Sequence, residues 1–518
     1  MRELDLATDG DLAAARREPI ALSERPCLPD AARFADWIIA RQGRDCGAVR
    51  TTLDPEVQAA VCATARRFGG ELSALGIDGL AIVVIGVENS ELLAMAGSAD
   101  PADPLAGQVN AAARARQPGS LLKPFIYARA FDSGWLTPDS VVYDVPTSWR
   151  GYSPENIDRE FQGPIPARRA LAESRNLPAV RLLDRLTPEA LAADLVALGV
   201  PLGSVADRCG LSLALGTAEV RLVDVANTYA ALARLGQWRP LRATVGEAGG
   251  EGRQAYSPGA AYLALRSLGA AAPDGQPQMA WKTGTSWNHR DAWAVAVTPA
   301  HMVAVWCGKL SGEGHPELLG ARTALPIALE LADHLPGTGV WVQPESVRTR
   351  SICALSGAPA SPDCPCAAEG EYLAGVSSEA GCHLHRAVGS GSERRVVEVW
   401  PPEVASWLAA REGAAGKRQE RRASGPLLVI TSPRPGAQYV LTAAEASSNA
   451  LPLEAQASPG TEWIYWFVDG EFLRRSASGE AVSWPLRSGR HEVLASDGLR
   501  SSAPAAFNVT QVSANSKH

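Results

Sequence analysis

Residues 116–127 read RQPGSLLKPFIY: Pro118 and Gly119 open an apolar run in which Ser120 and Lys123 stand three positions apart. That spacing on a helix stacks two side chains on one face, so the Lys123 amine can reach the Ser120 hydroxyl. Leu121, Leu122, Phe125 and Ile126 supply apolar surroundings that disfavour a charged ammonium. Moving a lysine pKa from about 10.4 to about 7 takes roughly 4 to 5 kcal/mol, within reach of a buried amine beside a second cation. Pro124 falls where a helix starting at Ser120 would make its first backbone bonds, which places Ser120 near a helix start and no closer. Alone the motif is weak, because 39 serines and 5 lysines among 518 residues give about 0.4 chance matches to Ser-x-x-Lys.

Lysine usage adds weight. Of 49 Lys plus Arg, 44 are arginine, and the lysines are Lys123, Lys282, Lys309, Lys417 and Lys517. Guanidinium stays charged whereas a desolvated amine can lose its proton, so retained lysines mark positions where arginine fails chemically. Lys282 lies in AWKTGTSW, where Lys282, Thr283, Gly284 and Thr285 fall on an apparent strand. A cation and two hydroxyls there suit a carboxylate, the glycine lets a substrate backbone approach, and backbone N–H groups can serve an oxyanion. Between these motifs comes Ser174-Arg175-Asn176, which alone reads as a turn or cap.

Composition bounds the rest. At 46% hydrophobic and 20% charged over 518 residues the chain is an ordinary globular one of two or three domains. A net charge of −7 argues against nucleic acid or an anionic membrane as partner. The longest strongly apolar stretch, LAIVVIGV at 80–87, is far short of the roughly 18 to 20 residues of a membrane span. The N-terminal MRELDLATDGDLAAARREP lacks the basic start and apolar middle of a signal peptide. The expectation is a chain with no membrane span and no anchor or address of its own.

Residues 1–50 read as a linker with one amphipathic stretch, AARFADWIIARQ. In 51–345, Asp54 and Pro55 mark a helix start. LAIVVIGVE and ELLAMAGS then read as strands, followed by a long helical block to about 270 and three further strands, MAWKTGTSW, DAWAVAVTP and HMVAVWCGKL. This order predicts an α+β fold: an antiparallel sheet completed by distant parts of the chain, with a helical lobe inserted. Residues 346–425 carry a cysteine-containing segment and a charged linker at 411–425; residues 426–512 read as a β-sandwich of immunoglobulin type.

Ser-x-x-Lys, Ser-x-Asn and Lys-Thr-Gly in this order resemble the motif set of serine acyltransferases that bind penicillin. The likeness extends to RTTLD with VQAA, to YSPENIDREFQGPIPARRALAESRNLPAV, and to LSLALGTAEVRLVDVANTYAALARLG. IYWFVDG and SGRHEVLASDG resemble the C-terminal domain of the 1C type. The chain is thus similar to a class A penicillin-binding protein of that type over roughly residues 30 to 512. The resemblance implies a transpeptidase fold and a peptidoglycan D,D-transpeptidase that cross-links stem peptides. Ser120 would attack a D-Ala-D-Ala donor and Lys123 take its proton. Ser174 would protonate the departing D-Ala, Asn176 contact the substrate and Lys123, and Lys282 help keep Lys123 neutral. Thr283 and Thr285 would bind the terminal carboxylate, and the backbone N–H groups of Ser120 and Thr285 the oxyanion. β-Lactams would acylate Ser120 and stay. Such proteins normally start with a membrane anchor and a glycosyltransferase domain. Residues 1–50 resemble the tail after that domain, so no glycosyltransferase activity is expected, and a separate glycosyltransferase or other cell-wall protein is a candidate partner. The implied location is the periplasm or outer face of the inner membrane. A D,D-carboxypeptidase, a β-lactamase or a non-catalytic penicillin-binding scaffold or sensor are the rival readings.

No cofactor and no metal enter this scheme. Cys353, Cys364, Cys366, Cys382, His383 and His385 can be drawn as a zinc site, but their spacing matches no familiar ligand pattern, and a disulfide or free thiols is the preferred reading. His289 and Glu173 read as loop and helix-end residues, and Trp463, Tyr465, Trp466 and Trp484 as sandwich core more than a sugar platform.

Overall fold

Two stretches far apart in the chain, GLAIVVIG and HMVAVWCG, are apolar almost without interruption, and the fold places them side by side at the centre of one sheet. The computed structural model of the chain describes residue 8 and residues 31–512, apart from 44–46, 105, 150, 204–205, 248–249, 272–276, 338, 389–393, 420–427, 443–449, 458–460, 462 and 498–501. In chain order the elements that frame the site are α1 (Ala32–Gln42), α2 (Pro55–Ala74), β1 (Gly79–Gly86), β2 (Glu91–Ala96), α3 (Lys123–Asp132) and α4 (Asn176–Leu186). They continue with α5 (Leu222–Ala233), α6 (Pro258–Leu268), β3 (Gly269–Ala271), β4 (Pro277–Thr285), β5 (Asp291–Val297), β6 (His301–Gly308) and α7 (Leu325–His334).

The sheet runs β2-β1-β6-β5-β4-β3 and its pairs are antiparallel, with β1 meeting β6 from Gly79↔Gly308 to Gly86↔His301. The central strands read as continuous rather than alternating apolar runs because helices cover both faces. Ala81, Val83 and Ile85 enter the core shared with α3 to α6. Leu80, Ile82 and Val84 enter a second core with Val57, Val61 and Ala65 of α2 and Ile327, Ala328 and Leu331 of α7. The predicted α+β sheet with an inserted helical lobe is therefore the observed one. Asp54 caps α2 as expected, accepting from the backbone N–H groups of Glu56 and Val57 at 2.9 and 3.0 Å.

Three features differ from the sequence reading. The short Gly269–Ala271 adds an edge strand that composition did not announce; it pairs with β4 only over Pro277–Ala280, so Trp281–Thr285 has no strand on that side among the described residues. The stretch read as linker contributes α1, whose Phe34 and Ile38 are buried against the main core. Part of the segment read as a charged linker is helical, Pro402–Gln419, in keeping with its many strong helix formers.

Beyond the transpeptidase-like part come β7 (Val347–Cys353), β8 (Ala367–Leu373), β9 (His385–Val388) and β10 (Arg395–Glu398), forming two separate two-stranded sheets. The C-terminal part is an all-β sandwich of a three-stranded and a five-stranded sheet around Leu453, Ile464, Trp466, Trp484, Val493 and Phe507. Trp466 and Trp484 are core, whereas Trp463 and Tyr465 alternate to the other, half-buried face. WIYWFVDGEFL forms two strands turned at Asp469 (φ 52°) and Gly470 (φ 85°), a left-handed pair that fits a tight hairpin.

Candidate active site

Ser120 is half-buried in a 3-10 turn, Gly119–Leu122, that leads directly into α3. α3 begins at Lys123 with Pro124 second, so the missing N–H is one that a first helical turn leaves without an intrahelical partner. The turn is pressed against β4. A Cβ on Gly284 would lie 2.1 Å from the Pro118 carbonyl oxygen, and one on Gly119 (φ 57°) 2.4 Å from that of Thr285. Gly284 thus makes room for the Ser120 turn, a different close approach from the substrate contact the sequence suggested. Tyr229 of α5 anchors the turn from behind, donating from its hydroxyl to the Leu121 carbonyl at 2.6 Å.

Ser174 sits where helix Ala167–Ala172 ends. Its N–H donates to the Leu171 carbonyl at 3.0 Å and that of Arg175 to the Ala170 carbonyl at 2.9 Å. This is a Schellman closure with Ser174 at the left-handed position (φ 58°), where glycine is the usual occupant. A non-glycine residue in that conformation costs roughly 1 to 2 kcal/mol, and here it carries a hydroxyl between two lysines.

Lys282 Nζ donates to Ser174 Oγ at 2.8 Å and to the Thr283 carbonyl at 2.8 Å. Lys123 Nζ donates to the Ser174 carbonyl and to Asn176 Oδ1, each at 2.6 Å, and lies 3.5 Å from Ser174 Oγ. Both amines are buried. Burial, then the neighbouring Lys282 and Arg175 charges, holds Lys123 well below the ordinary lysine range, against an opposing pull from Asp144. Burial pushes Lys282 down to about 7. Desolvation therefore does more to neutralise Lys123 than repulsion by Lys282 does. A neutral amine has two N–H groups; the two acceptors at 2.6 Å take both, which leaves a lone pair for a proton.

The structure brings Ser174, Asn176, Lys123 and Lys282 into one hydrogen-bonded cluster, with the Ser120 turn packed beside them. Among the described residues Ser120 Oγ makes no hydrogen bond to Lys123; the link between the two is the Lys123 N–H donating to the Ser120 carbonyl within the turn. Thr283 and Thr285 alternate to the opposite side of β4 from Lys282 and Gly284, and Thr285 Oγ1 accepts from the Gly320 N–H at 3.1 Å. The threonine hydroxyls are thus not part of the lysine cluster. The backbone of Thr285 lies beside Gly119 and hence beside Ser120.

Behind the cluster is a support that sequence reasoning missed. Asn176 Nδ2 donates to the Glu155 carbonyl at 2.6 Å, which turns Oδ1 toward Lys123, and its backbone N–H donates to Asn156 Oδ1 at 2.7 Å. Asn156 Nδ2 in turn donates to Asp144 Oδ1 at 2.7 Å. Asp144, fully buried, also accepts from Arg175 Nε at 2.8 Å and from the Gln162 N–H at 3.0 Å. Arg175 further binds Asp158 Oδ2 at 2.6 Å and the Glu160 carbonyl. Asn156 lay inside a stretch already marked by resemblance; Asp144, a lone carboxylate closing the short run VVYD, gave no signal of its partners. Glu173 is engaged with Arg169 and Gln162, outside the cluster.

Comparison with known proteins supplies the context. Residues 80–301 match the family model of the penicillin binding protein transpeptidase domain, and residues 417–501 that of the Penicillin-Binding Protein C-terminus Family. Penicillin-binding protein 1C of Escherichia coli K12 is 30% identical across 95% of this chain, which spans 68% of that protein. Penicillin-binding protein 1A of Neisseria meningitidis serogroup A is 31% identical over 37% of the chain and 28% of its own length. Among solved structures, penicillin-binding protein 1A of Haemophilus influenzae aligns with a TM-score of 0.57 at 18% identity, covering 72% of this chain and 80% of that one. The penicillin-binding protein PonA1 of Mycobacterium tuberculosis aligns with a TM-score of 0.50 at 23% identity, covering 61% and 92%. At these identities the structures speak for the fold.

Proposed function

The chain belongs to the penicillin-binding proteins of the 1C type, and from that premise we propose that it is a peptidoglycan D,D-transpeptidase in which Ser120 is the acylated nucleophile. The observation that carries the reading is the buried cluster in which Ser174 Oγ lies 2.8 Å from Lys282 Nζ and 3.5 Å from Lys123 Nζ, beside the Ser120 turn.

A donor peptide ending in D-Ala-D-Ala lies along the open edge of β4, Trp281–Thr285, as an added strand. The Thr283 and Thr285 hydroxyls, which face away from the lysine cluster, take its terminal carboxylate, while buried Lys282 bears on Ser174. Ser120 Oγ attacks the carbonyl carbon of the penultimate residue while its proton passes to the Lys123 lone pair. The backbone N–H groups of Ser120 and Thr285 hold the developing oxyanion. The C–N bond breaks as Ser174 Oγ gives its proton to the departing amine of D-Ala, and the lysines beside Ser174 resupply it. An amine of a second stem peptide then attacks the ester carbonyl, returning the proton to Ser120 by the reverse route and forming the cross-link. β-Lactams acylate the same hydroxyl. Asn176 orients Lys123, and Asp144, Asn156 and Arg175 are positioning residues behind it.

This chemistry places the chain outside the cytoplasmic membrane; among the described residues no helix is long and apolar enough to cross one. In this reading residues 51–345 are the catalytic domain and 426–512 a separate sandwich. The test is turnover of a D-Ala-D-Ala donor with and without an acceptor amine. A cross-linked product that requires Ser120 is expected. Release of D-Ala with water as the only acceptor at every amine concentration would assign a hydrolase instead.

A further inference from the structure

The segment between the catalytic part and the sandwich has a problem of stability. β7–β8 packs Val347 and Leu373 into the main core, whereas β9–β10 is a two-stranded sheet, a size that is marginal alone in water. The small core beside them consists of Cys353, Cys382 and Leu384, flanked by Ala358, Cys364 and Trp400. Such segments normally need a covalent or metal staple.

The thiols of Cys353, Cys364 and Cys382 and the His385 ring converge there, their ligand atoms all within 4.8 Å of one another. His385 Nδ1 lies 3.4 Å from Cys353 Sγ and 3.5 Å from Cys382 Sγ. A tetrahedral zinc with Zn–S of about 2.3 Å and Zn–N of about 2.0 to 2.1 Å has sulfur–nitrogen edges of about 3.6 Å, so these two separations fit two edges of a tetrahedron around one ion. Each sulfur also accepts hydrogen bonds, as metal thiolates do. Ser356 N–H donates to Cys353 at 3.4 Å, Ser356 Oγ to Cys382 at 3.2 Å, and Ser361 N–H to Cys364 at 3.3 Å. His385 Nε2 is buried without a partner among the described residues, and Nδ1 is the nitrogen turned to the sulfurs. No described cysteine is bonded to another. A disulfide would join two sulfurs and leave the third and the imidazole unexplained.

We propose that Cys353, Cys364, Cys382 and His385 bind one structural zinc ion. Binding releases three thiol protons to solvent and leaves three thiolates and one neutral imidazole on Zn²⁺, a closed four-ligand set with no position for water or substrate. Exposed Cys366 and His383 stand outside it. The metal ties the end of β7 to the start of β9. It also steadies the catalytic part, because Ser356, bonded to two of the sulfurs, accepts from the Val141 N–H at 3.0 Å, and Val141 begins the strand that ends at Asp144. The separation of the ligands along the chain, with ten residues between Cys353 and Cys364, hid the set from a reading by spacing.

The test is metal analysis of the full chain purified without chelator. One zinc per chain is expected in the wild type and in Cys366→Ser and His383→Ala, with at least a fivefold loss in Cys364→Ser and His385→Ala. Should those variants fail to fold, cobalt substitution of the wild type decides: a tetrahedral thiolate site gives intense visible d–d bands and a sulfur-to-cobalt charge-transfer band. Three results would overturn the assignment: only trace zinc in the wild type with a cobalt spectrum that is octahedral or absent, full zinc in both ligand variants, or a non-reduced mass short of the two hydrogens of a Cys353–Cys382 disulfide.

Discussion

Lys123→Met removes the amine but keeps an unbranched apolar side chain at a position with no exposed surface. Two effects on stability oppose each other. Ser174 O and Asn176 Oδ1 lose their 2.6 Å donor, at roughly 1 to 3 kcal/mol for each acceptor left unpaired. Against that, the fold no longer buries an amine that it holds well below its ordinary pKa. The melting temperature should therefore move by no more than about 5 °C. Catalysis has no such compensation. A positioned general base is worth about 10²- to 10⁴-fold, or about 3 to 5.5 kcal/mol of barrier. The assay is the second-order rate of penicillin acylation, followed by intact mass. Lys123→Arg, which keeps a cation but no usable lone pair, should fall as far. In the wild type the rate should rise with pH through a lysine pKa well below 10.5, because only the neutral amine accepts the proton, and then level off. Acylation of a folded Lys123→Met within about threefold of wild type would refute the general-base assignment.

Other expectations follow from the same geometry. Lowering Lys282 from 10.5 to about 7 withdraws, at about 1.4 kcal/mol per pH unit, on the order of 4 to 5 kcal/mol of native stability near neutral pH. Between about 7 and 10.5 the unfolded chain binds the extra proton, so this term should make the wild type gain on Lys282→Met as pH rises; melting curves at pH 7.5 and 10 check the sign. Asp144→Asn takes from the Arg175 guanidinium its buried ion-pair partner and leaves it the part-exposed Asp158; it should destabilise by about 1 to 3 kcal/mol, seen in chemical denaturation. Gly284→Ala drives a Cβ to 2.1 Å from the Pro118 carbonyl; it should push the Ser120 turn off β4 and slow acylation at least about tenfold.

Much of this was legible before any coordinates. Rare lysines singled out Lys123 and Lys282 because only an amine can serve as a base there, and both prove to be buried beside Ser174. Apolar runs marked β1 and β6 as strands, and their central place in the sheet came with the fold. What stayed hidden depends on contacts between residues distant in the chain. Asp144 and Asn156 matter through the partners they meet across loops, and no periodicity encodes such meetings. β3 is three small residues whose strand character comes only from pairing with β4. A second demand on Gly284 stayed hidden, because the object that approaches it there is Pro118 of the same chain. The sequence named Cys353, Cys364, Cys382 and His385 among six candidates, but only the fold brings these four together, from β7, β9 and the loops beside them.

The central claim is that Ser120 is the nucleophile, and its most direct measurement is peptide mapping after labelling with a fluorescent penicillin. One adduct per chain is expected, on the peptide containing Ser120, with Ser120→Ala folded and unlabelled. Labelling of a folded Ser120→Ala at the wild-type rate, or an adduct mapped to another residue, would contradict it.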